Sequence, residues 1–195
     1  MEERIRLMDH NEFVGYINYL AKELETYLKR NKLKVDYLVP VMRSGLVPAV
    51  YLANKLNIVK FAPFQVKHIT YKDKAETIEI LFNPLRTINV GKKNPVFLVV
   101  DGVHCTGTSV ELCINEIYEA FPSAKILYVC IAKVYGSKEF KDQIDFEMSA
   151  YERGENLSVE ECRKLGVDPD VAIFPWETIE GETKHPDDLE ENIFF

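Results

Sequence analysis

The sequence predicts an α/β domain with a central, mainly parallel sheet flanked by helices. Three apolar runs carry this prediction, at residues 35–41, 96–101 and 126–132, and their branched side chains indicate strands buried on both faces. Segments with helical periodicity lie before and between these runs. This alternation predicts a doubly wound sheet with right-handed crossovers. A length of 195 residues, 47% of them apolar, fits one domain with its own core.

The first helix is predicted to begin after Asp9 or Asn11, either of which can cap it, and to run to about Arg30. Its apolar residues recur at helical spacing, which predicts a face turned towards the core. They are Phe13, Tyr16, Ile17, Leu20, Leu24, Tyr27 and Leu28.

Further helices are predicted at Leu46–Leu56, 110–121 and Val159–Leu165. The last of them has its own start signal, because Ser158 and Glu161 have the spacing of a capping box.

Additional strands are predicted at Phe64–Tyr71, 77–82 and 171–174. The polar residues 72–76 between the first two predict a hairpin or a mobile loop. The tail at 181–195 is acidic, and we expect it to be partly mobile.

Composition excludes several classes of function. The net charge of −7, with cations scattered among acids, argues against duplex nucleic acid as a partner. The four cysteines form no CxxC pair, which argues against a zinc site or a redox dithiol. The N-terminus lacks the apolar segment of a signal peptide, and no apolar run approaches the ~20 residues of a membrane span. We expect a reduced, soluble, cytoplasmic protein.

The segment 96–109 carries the clearest chemical signal. The strand at 96–101 ends in Asp101, and the chain then turns through Thr106–Gly107–Thr108–Ser109 into a helix. Such a turn presents backbone N–H groups and the positive end of a helix to an anion. An acid beside a phosphate site suits a sugar diol or a hydrated Mg²⁺. An ordinary N-capped loop is the alternative interpretation.

Two other nucleotide-binding motifs are absent from the sequence. It has no GxxxxGK[ST], which excludes a P-loop, and no GxGxxG after a strand, which argues against a dinucleotide site. A phosphohydrolase would need more acids near Asp101 than the sequence offers.

The run VFLVVDGVHCTGTS resembles the 5-phosphoribosyl-1-pyrophosphate motif of type I phosphoribosyltransferases. The resemblance implies their fold, with a small hood and a flexible lid loop, and it extends over roughly residues 35–180. It implies that Asp101 contacts the ribose and that 105–109 wrap the 5-phosphate. The implied sugar-phosphate residues are Asp101, Gly102, His104, Cys105, Thr106, Gly107, Thr108 and Ser109.

Two other segments resemble the pyrophosphate side of the same family. VMRSGLVPAVYLANKLNI is similar to the pyrophosphate loop and following helix of bacterial xanthine–guanine enzymes. It implies that Arg43, Ser44 and Gly45 meet the pyrophosphate. Thr70 and Tyr71 stand where the family begins its lid.

The base side is implied by two more matches. Lys133 resembles the lysine that binds the 6-oxo group of a purine, and FPWE resembles the hood segment over the base. The implied base residues are Lys133, Val171, Ile173 and Trp176, with a hood from about 143–180. For Trp176, a core position is the plainer alternative.

The sequence departs from the family pattern at three positions, and His104 stands alone in the loop. The second acid of the motif is Gly102, and Cys105 stands where hypoxanthine–guanine enzymes carry an aspartate. Val171 replaces an aromatic residue that stacks on the base. His104 has no nearby metal-ligand partner, so a solvent-facing or stacking role is expected for it.

The resemblance therefore implies transfer of a phosphoribosyl group to a purine, with Mg²⁺ held at Asp101. The implied catalytic residues are Asp101, Cys105, Arg43 and Lys133, and a homodimer or homotetramer is expected. A non-catalytic sensor of phosphoribosylpyrophosphate or nucleotides is the alternative, with the acidic tail as its docking element.

Overall fold

The computed structural model describes residues 4–71 and 74–178, with side chains described for 4–67 and 78–178. In this part of the chain, a central sheet of six strands has helices on both faces. The chain has the predicted α/β class. No helix within the described ranges has the length and apolar character needed to cross a membrane.

The described part of the chain contains eight strands, of which β2 to β7 form the central sheet in the order β4-β3-β2-β5-β6-β7. All neighbours pair in parallel except β3 and β4, which are antiparallel. The strands are β1 (Ile5–Leu7), β2 (Tyr37–Met42), β3 (Phe64–Tyr71), β4 (Lys74–Phe82), β5 (Val96–His104), β6 (Lys125–Val134), β7 (Phe146–Arg153) and β8 (Val171–Ile173).

The helices are α1 (His10–Asn31), α2 (Leu46–Leu56), α3 (Thr108–Ala120) and α4 (Val159–Leu165). α1 and α2 pack with one face of the sheet, whereas α3 packs with the other face. The central strands β5 and β6 are buried along nearly their whole length, as their apolar runs predicted.

Local capping sets the ends of two helices at the predicted places. The side chain of Asp9 accepts a hydrogen bond from the backbone N–H of Glu12 at 2.8 Å, which begins α1. Ser158 and Glu161 form the expected capping box of α4, and Gly166 ends that helix in the left-handed conformation.

A second, two-stranded sheet pairs β1 with β8 in parallel. The ion pair between Arg6 and Asp168, at 2.7 Å, ties β1 to the segment before β8, and Arg6 also reaches Glu12 on α1. The predicted hood at 143–180 is thus divided, because β7 belongs to the central sheet and the N-terminal β1 completes the small sheet.

β5 is three residues longer than predicted, since it continues through Gly102 and Val103 to His104. β4 also begins earlier than predicted, at Lys74, so the polar segment between β3 and β4 is shorter than 72–76. The longer β5 carries Asp101 inside the strand and leaves residues 105–107 as the loop before α3.

Candidate functional site

A cavity of about 400 Å³ lies at the carboxyl ends of β2 and β5, where ligands bind in open parallel sheets. The cavity wall combines residues that the sequence singled out with apolar side chains from β2, β3 and β5. It is lined by Val41, Met42, Ser44, Val66, Asp101, Val103, His104, Cys105, Thr106, Gly107, Thr108, Ser109 and Val110.

Residues 105–109, which we call the cradle, form one wall of this cavity. α3 begins at Thr108, and Gly107 precedes it with φ 87°, a left-handed conformation that favours glycine. The Thr106 and Thr108 hydroxyl oxygens are 2.8 Å apart. The cradle therefore presents hydroxyl groups and the positive end of a 13-residue helix to the cavity.

Asp101 is the one carboxylate among the described residues that line the cavity, and it is only 5% exposed. The Ser44 hydroxyl donates a hydrogen bond to its Oδ1 at 2.5 Å, and the Gly102 backbone N–H donates to the same oxygen at 2.7 Å. Hydrogen bonds to a carboxylate stabilise its charged form. Asp101 thereby joins the loop after β2 to the cradle side of the site.

The structure explains why the second acid of the motif is Gly102. A Cβ atom on Gly102 would lie 2.8 Å from the Cβ of Ser44 and 2.9 Å from its carbonyl oxygen. Neither neighbour is the end of a flexible side chain. Glycine at this position is therefore required for Ser44 to reach Asp101.

The loop after β2 packs closely on β5 through Gly45. A Cβ on Gly45 would collide with the carbonyl oxygen of Val100, and it would lie 2.7 Å from that of Val41. The preceding Arg43 has an exposed side chain that does not line the cavity, and its peptide bond with Met42 is cis. The structure thus places Ser44 at the cavity and leaves Arg43 beside it.

His104 is 1% exposed, so of the two roles expected for it, solvent-facing or stacking, the solvent-facing one is wrong. Its Nδ1 lies 3.0 Å from the Tyr128 hydroxyl, and its ring packs against Tyr128 and Phe140. Burial lowers the pKa of His104, and the nearby Lys133 lowers it further. A Cβ on Gly107 would lie 2.9 Å from His104 Nε2, so the His104 ring packs directly against the cradle at Gly107.

Lys133 does not line the cradle cavity. Its Nζ lies 3.2 Å from Glu147 Oε1 and 3.4 Å from Glu139 Oε1, next to a separate cavity of about 120 Å³. Glu147 has a side chain only 4% exposed and also accepts a hydrogen bond from the Phe140 backbone N–H at 2.6 Å. Lys133 is thus half of a buried ion pair that holds the segment after β6.

Cys105 contacts a residue that the sequence analysis did not select. The Nη2 of Arg153, at the end of β7, lies 3.5 Å from the Cys105 Sγ and 2.9 Å from Glu155 Oε2. Cys105 is exposed as a whole residue, but desolvation of its thiol by the surrounding protein raises the pKa of Cys105. Arg153 had no sequence signal, because a charged residue at a strand end is ordinarily solvated.

The predicted base residues from the C-terminal segment lie on β8 and just beyond it. Ile173 is buried, and Val171 is partly buried. Trp176 stacks on Phe174 at 4.9 Å between ring centroids and meets Phe13 of α1 edge-on at 4.8 Å. Trp176 therefore packs against the core, which is the plainer of its two interpretations.

Two groups of predicted residues fall outside the description. Thr70 and Tyr71 lie at the end of β3, but their side chains are not among those described. The acidic tail at 181–195 lies outside the described residues.

Within the described ranges, no cluster of three or more His, Cys, Asp or Glu side chains could hold a metal ion. Among the described residues that line the cavity, Asp101 is the one acid, and its Oδ1 already accepts two hydrogen bonds. The described lining of the cavity therefore offers Mg²⁺ one carboxylate, that of Asp101.

The strand order, the cavity and the cradle at the carboxyl end of β5 define the class: the chain has the type I phosphoribosyltransferase fold. Solved structures of other proteins share this fold, and three are described here. A hypothetical protein from Neisseria gonorrhoeae with bound ppGpp superposes with a TM-score of 0.70 at 14% identity, covering 93% of this chain and 94% of that one.

The other two structures are enzymes by name. A purine phosphoribosyltransferase from Pyrococcus horikoshii superposes with a TM-score of 0.60 at 23% identity, over 91% of this chain and 95% of that one. A xanthine-guanine-hypoxanthine phosphoribosyltransferase from Helicobacter pylori gives 0.61 at 18% identity, over 89% and 94%. No protein-family model and no curated protein sequence matches the chain.

Proposed function

We propose that this protein binds 5-phosphoribosyl-1-pyrophosphate in the cradle cavity and transfers its phosphoribosyl group to a purine base, releasing pyrophosphate. The cradle beside Asp101 carries the proposal, because hydroxyl groups and a helix N-terminus face a cavity of about 400 Å³. The named enzymes from P. horikoshii and H. pylori share the fold and support the same class of reaction.

In this proposal the 5-phosphate occupies the cradle, and the ribose lies over Asp101. The carboxylate orients the sugar hydroxyls and lies close to the positive charge that develops on the ring as pyrophosphate departs. Ser44 faces the pyrophosphate, and Arg43 is near enough in sequence to turn towards it on binding. The protein's main contribution is to position both reactants.

Mg²⁺ enters this proposal as part of the substrate. The described side chains offer it Asp101 alone, so the ion would arrive bound to the pyrophosphate and leave with it. A 6-oxopurine would contact Lys133 through the third N–H of its ammonium group, or in place of the more exposed Glu139. A cytoplasmic location and a homo-oligomer belong to the same proposal.

The test is calorimetric titration with phosphoribosylpyrophosphate and Mg²⁺, followed by turnover assays with guanine, xanthine, hypoxanthine and adenine. Asp101→Asn should keep the hydrogen bonds from Ser44 and Gly102 but remove the charge, and should weaken binding about tenfold. Asp142→Asn, a change at an exposed acid outside the cavity lining, is the matched control and should leave binding unchanged. Absence of binding would refute the proposal.

A second function, a non-catalytic sensor of phosphoribosylpyrophosphate or nucleotides, is favoured by one observation. Ser44 leaves no room for a second acid at Gly102, so the ribose would be held by Asp101 alone. The N. gonorrhoeae structure, which contains bound ppGpp, shares the fold. Tight ligand binding without turnover of any base would select this function over transfer.

A further inference from the structure

His104 is a buried titratable side chain to which the proposed function gives no role. It is 1% exposed and belongs to the wall of the cradle cavity. Its Nε2 has no hydrogen-bond partner among the residues that the structure describes. Because a buried polar atom without a partner costs stability, its position at a ligand cavity points to a role in binding.

The unpartnered nitrogen faces the cradle. A Cβ on Gly107 would lie 2.9 Å from Nε2 and 3.1 Å from Cε1, so the ring packs against the backbone that precedes α3. The N–H groups that would bind a phosphate belong to this same turn. Since Nε2 is buried beneath Gly107, His104 does not touch an anion in the cavity and acts on it through Gly107 and through its charge.

The other ring nitrogen has a partner that tolerates either protonation state. Nδ1 lies 3.0 Å from the hydroxyl of the fully buried Tyr128, which also hydrogen-bonds the Cys130 thiol. A tyrosine hydroxyl can accept one hydrogen bond while it donates its own proton elsewhere. Tyr128 can therefore accept from a protonated Nδ1, and the ring can carry protons on both nitrogens without losing this contact.

The surroundings of His104 disfavour its charged form. Burial lowers its pKa and Lys133 lowers it further, whereas Glu147 and the backbone of Lys138 raise it. Lys133 and Glu147 lie 3.2 Å apart and offset each other's charge. The positive end of α3, which begins directly after Gly107, also opposes a cation here. The titratable groups around the ring are Cys105 of the cradle, Tyr128, Cys130 and Lys133 of β6, Lys138 and Glu139 of the following segment, and Glu147 of β7.

A phosphate dianion in the cradle would reverse this balance. It would place two negative charges at the helix end, on the other side of Gly107 from His104. A nearby opposite charge favours the charged form of a titratable group, and the effect is stronger away from bulk water. The imidazole would then take a proton from solvent as the phosphate binds and return it as the phosphate leaves.

We propose that His104 is a positioning residue for the phosphate, neutral beneath the empty cradle and protonated beneath an occupied one, so that a proton and the phosphate bind together. This rests on the proposed sugar-phosphate site. Histidine suits this role, because small changes in its environment move its charge change across the physiological pH range.

Ribose 5-phosphate titrations of the wild type and His104→Gln at a series of pH values test the inference. The ionisation of the ligand is the same for both proteins, so it cancels in the ratio of their affinities. Wild-type affinity relative to His104→Gln should rise about fivefold from about pH 8 to about pH 5.5, because only the wild type can take up the proton. His10→Gln, at an exposed histidine on α1 outside the cavity lining, is the matched control and should follow the wild type at every pH.

The ring signals of His104 give a second measurement, which needs no folded variant. NMR titration of the wild type against pH reports the pKa of His104 directly, without ligand and with saturating ribose 5-phosphate. The ligand should raise this pKa by more than about one unit. A histidine that only fills space beneath Gly107 would keep the same pKa in both titrations.

The outcomes distinguish this inference from the function on which it rests. An affinity ratio that stays constant with pH, or a His104 pKa that ribose 5-phosphate leaves unchanged, would refute the role of His104 and leave the sugar-phosphate site standing. If the wild type does not bind ribose 5-phosphate at any pH, both are refuted.

Discussion

The two sides of the site differ in how they are built. The cradle side is assembled from one short stretch, residues 101–109, plus the loop at Ser44. Of the residues implied in that stretch, all except Gly102 line one cavity, together with Ser44. The base side draws on β6, β7 and β8, and Lys133, Ile173 and Trp176 pair or pack with other parts of the protein. The short continuous motif of the cradle therefore predicted its site residues better than the separate matches on β6 and β8 predicted the base site.

The largest effect expected is on the base side, from Lys133→Met. If Lys133 is a structural half of the buried pair, its loss leaves Glu147 buried without its cation and lowers the free energy of unfolding by about 3–4 kcal/mol. Urea denaturation measures this. Lys141→Met, at an exposed lysine that pairs with the exposed Glu139, should leave the free energy of unfolding almost unchanged, because solvent screens exposed pairs.

The same variant decides whether Lys133 also contacts the base. A stable Lys133→Met protein that binds phosphoribosylpyrophosphate as the wild type does, but has a raised KM for the base, would contradict a structural role for Lys133. Lys133→Met combined with Glu147→Leu should recover much of the lost stability, because no unpaired charge then remains buried.

An effect of intermediate size is expected on the cradle side, from Gly102→Asp. Restoring the second acid of the motif forces Ser44 away from Asp101, so we expect a loss of about 3 kcal/mol and weaker donor binding. Gly15→Asp is the control, since nothing lies within 4 Å of a Cβ at Gly15 on the exposed side of α1. If a stable Gly102→Asp protein gained turnover, position 102 would have room for a side chain and the packing argument would be wrong.

Elements with signals in their own residues were predicted well, whereas elements that depend on distant residues were not. α2 and α4 have the predicted bounds, and α4 has a capping signal within its own residues. β7 escaped prediction because FEMSAYER mixes polar and apolar residues on an edge strand. β5 was predicted too short because its apolar run ends at Asp101. The strand continues through Gly102, where glycine is required by the close packing of Ser44, a residue far away in the sequence.

The site shows the same limit. Asp101 and the cradle could be found from one motif, whereas the partner of Lys133 is Glu147 on the next strand, and Arg153 reaches Cys105 from 48 residues away. Non-local pairing decides whether a charged side chain serves a ligand or the fold, and spacing along the chain does not reveal it.

The smallest effect expected is the pH dependence that His104 gives to stability. Its pKa is lowered in the folded protein, so below about pH 6.5, the ordinary value, the unfolded chain binds the proton more readily. Stability should therefore fall as the pH drops through that value towards the lowered pKa. His104→Phe should flatten this part of the curve of unfolding free energy against pH, and an unchanged slope would mean that His104 is not buried as described.

Amide chemical shifts test the central claim, that the cradle grips a phosphoryl group, most directly. Titration of the ¹⁵N-labelled protein with ribose 5-phosphate should move the backbone N–H signals of residues 106–109 first and furthest, together with that of Gly102 beside Asp101. Signals of α4, such as that of Arg163, should stay in place. Saturating ribose 5-phosphate without any shift at 106–109 would contradict the account.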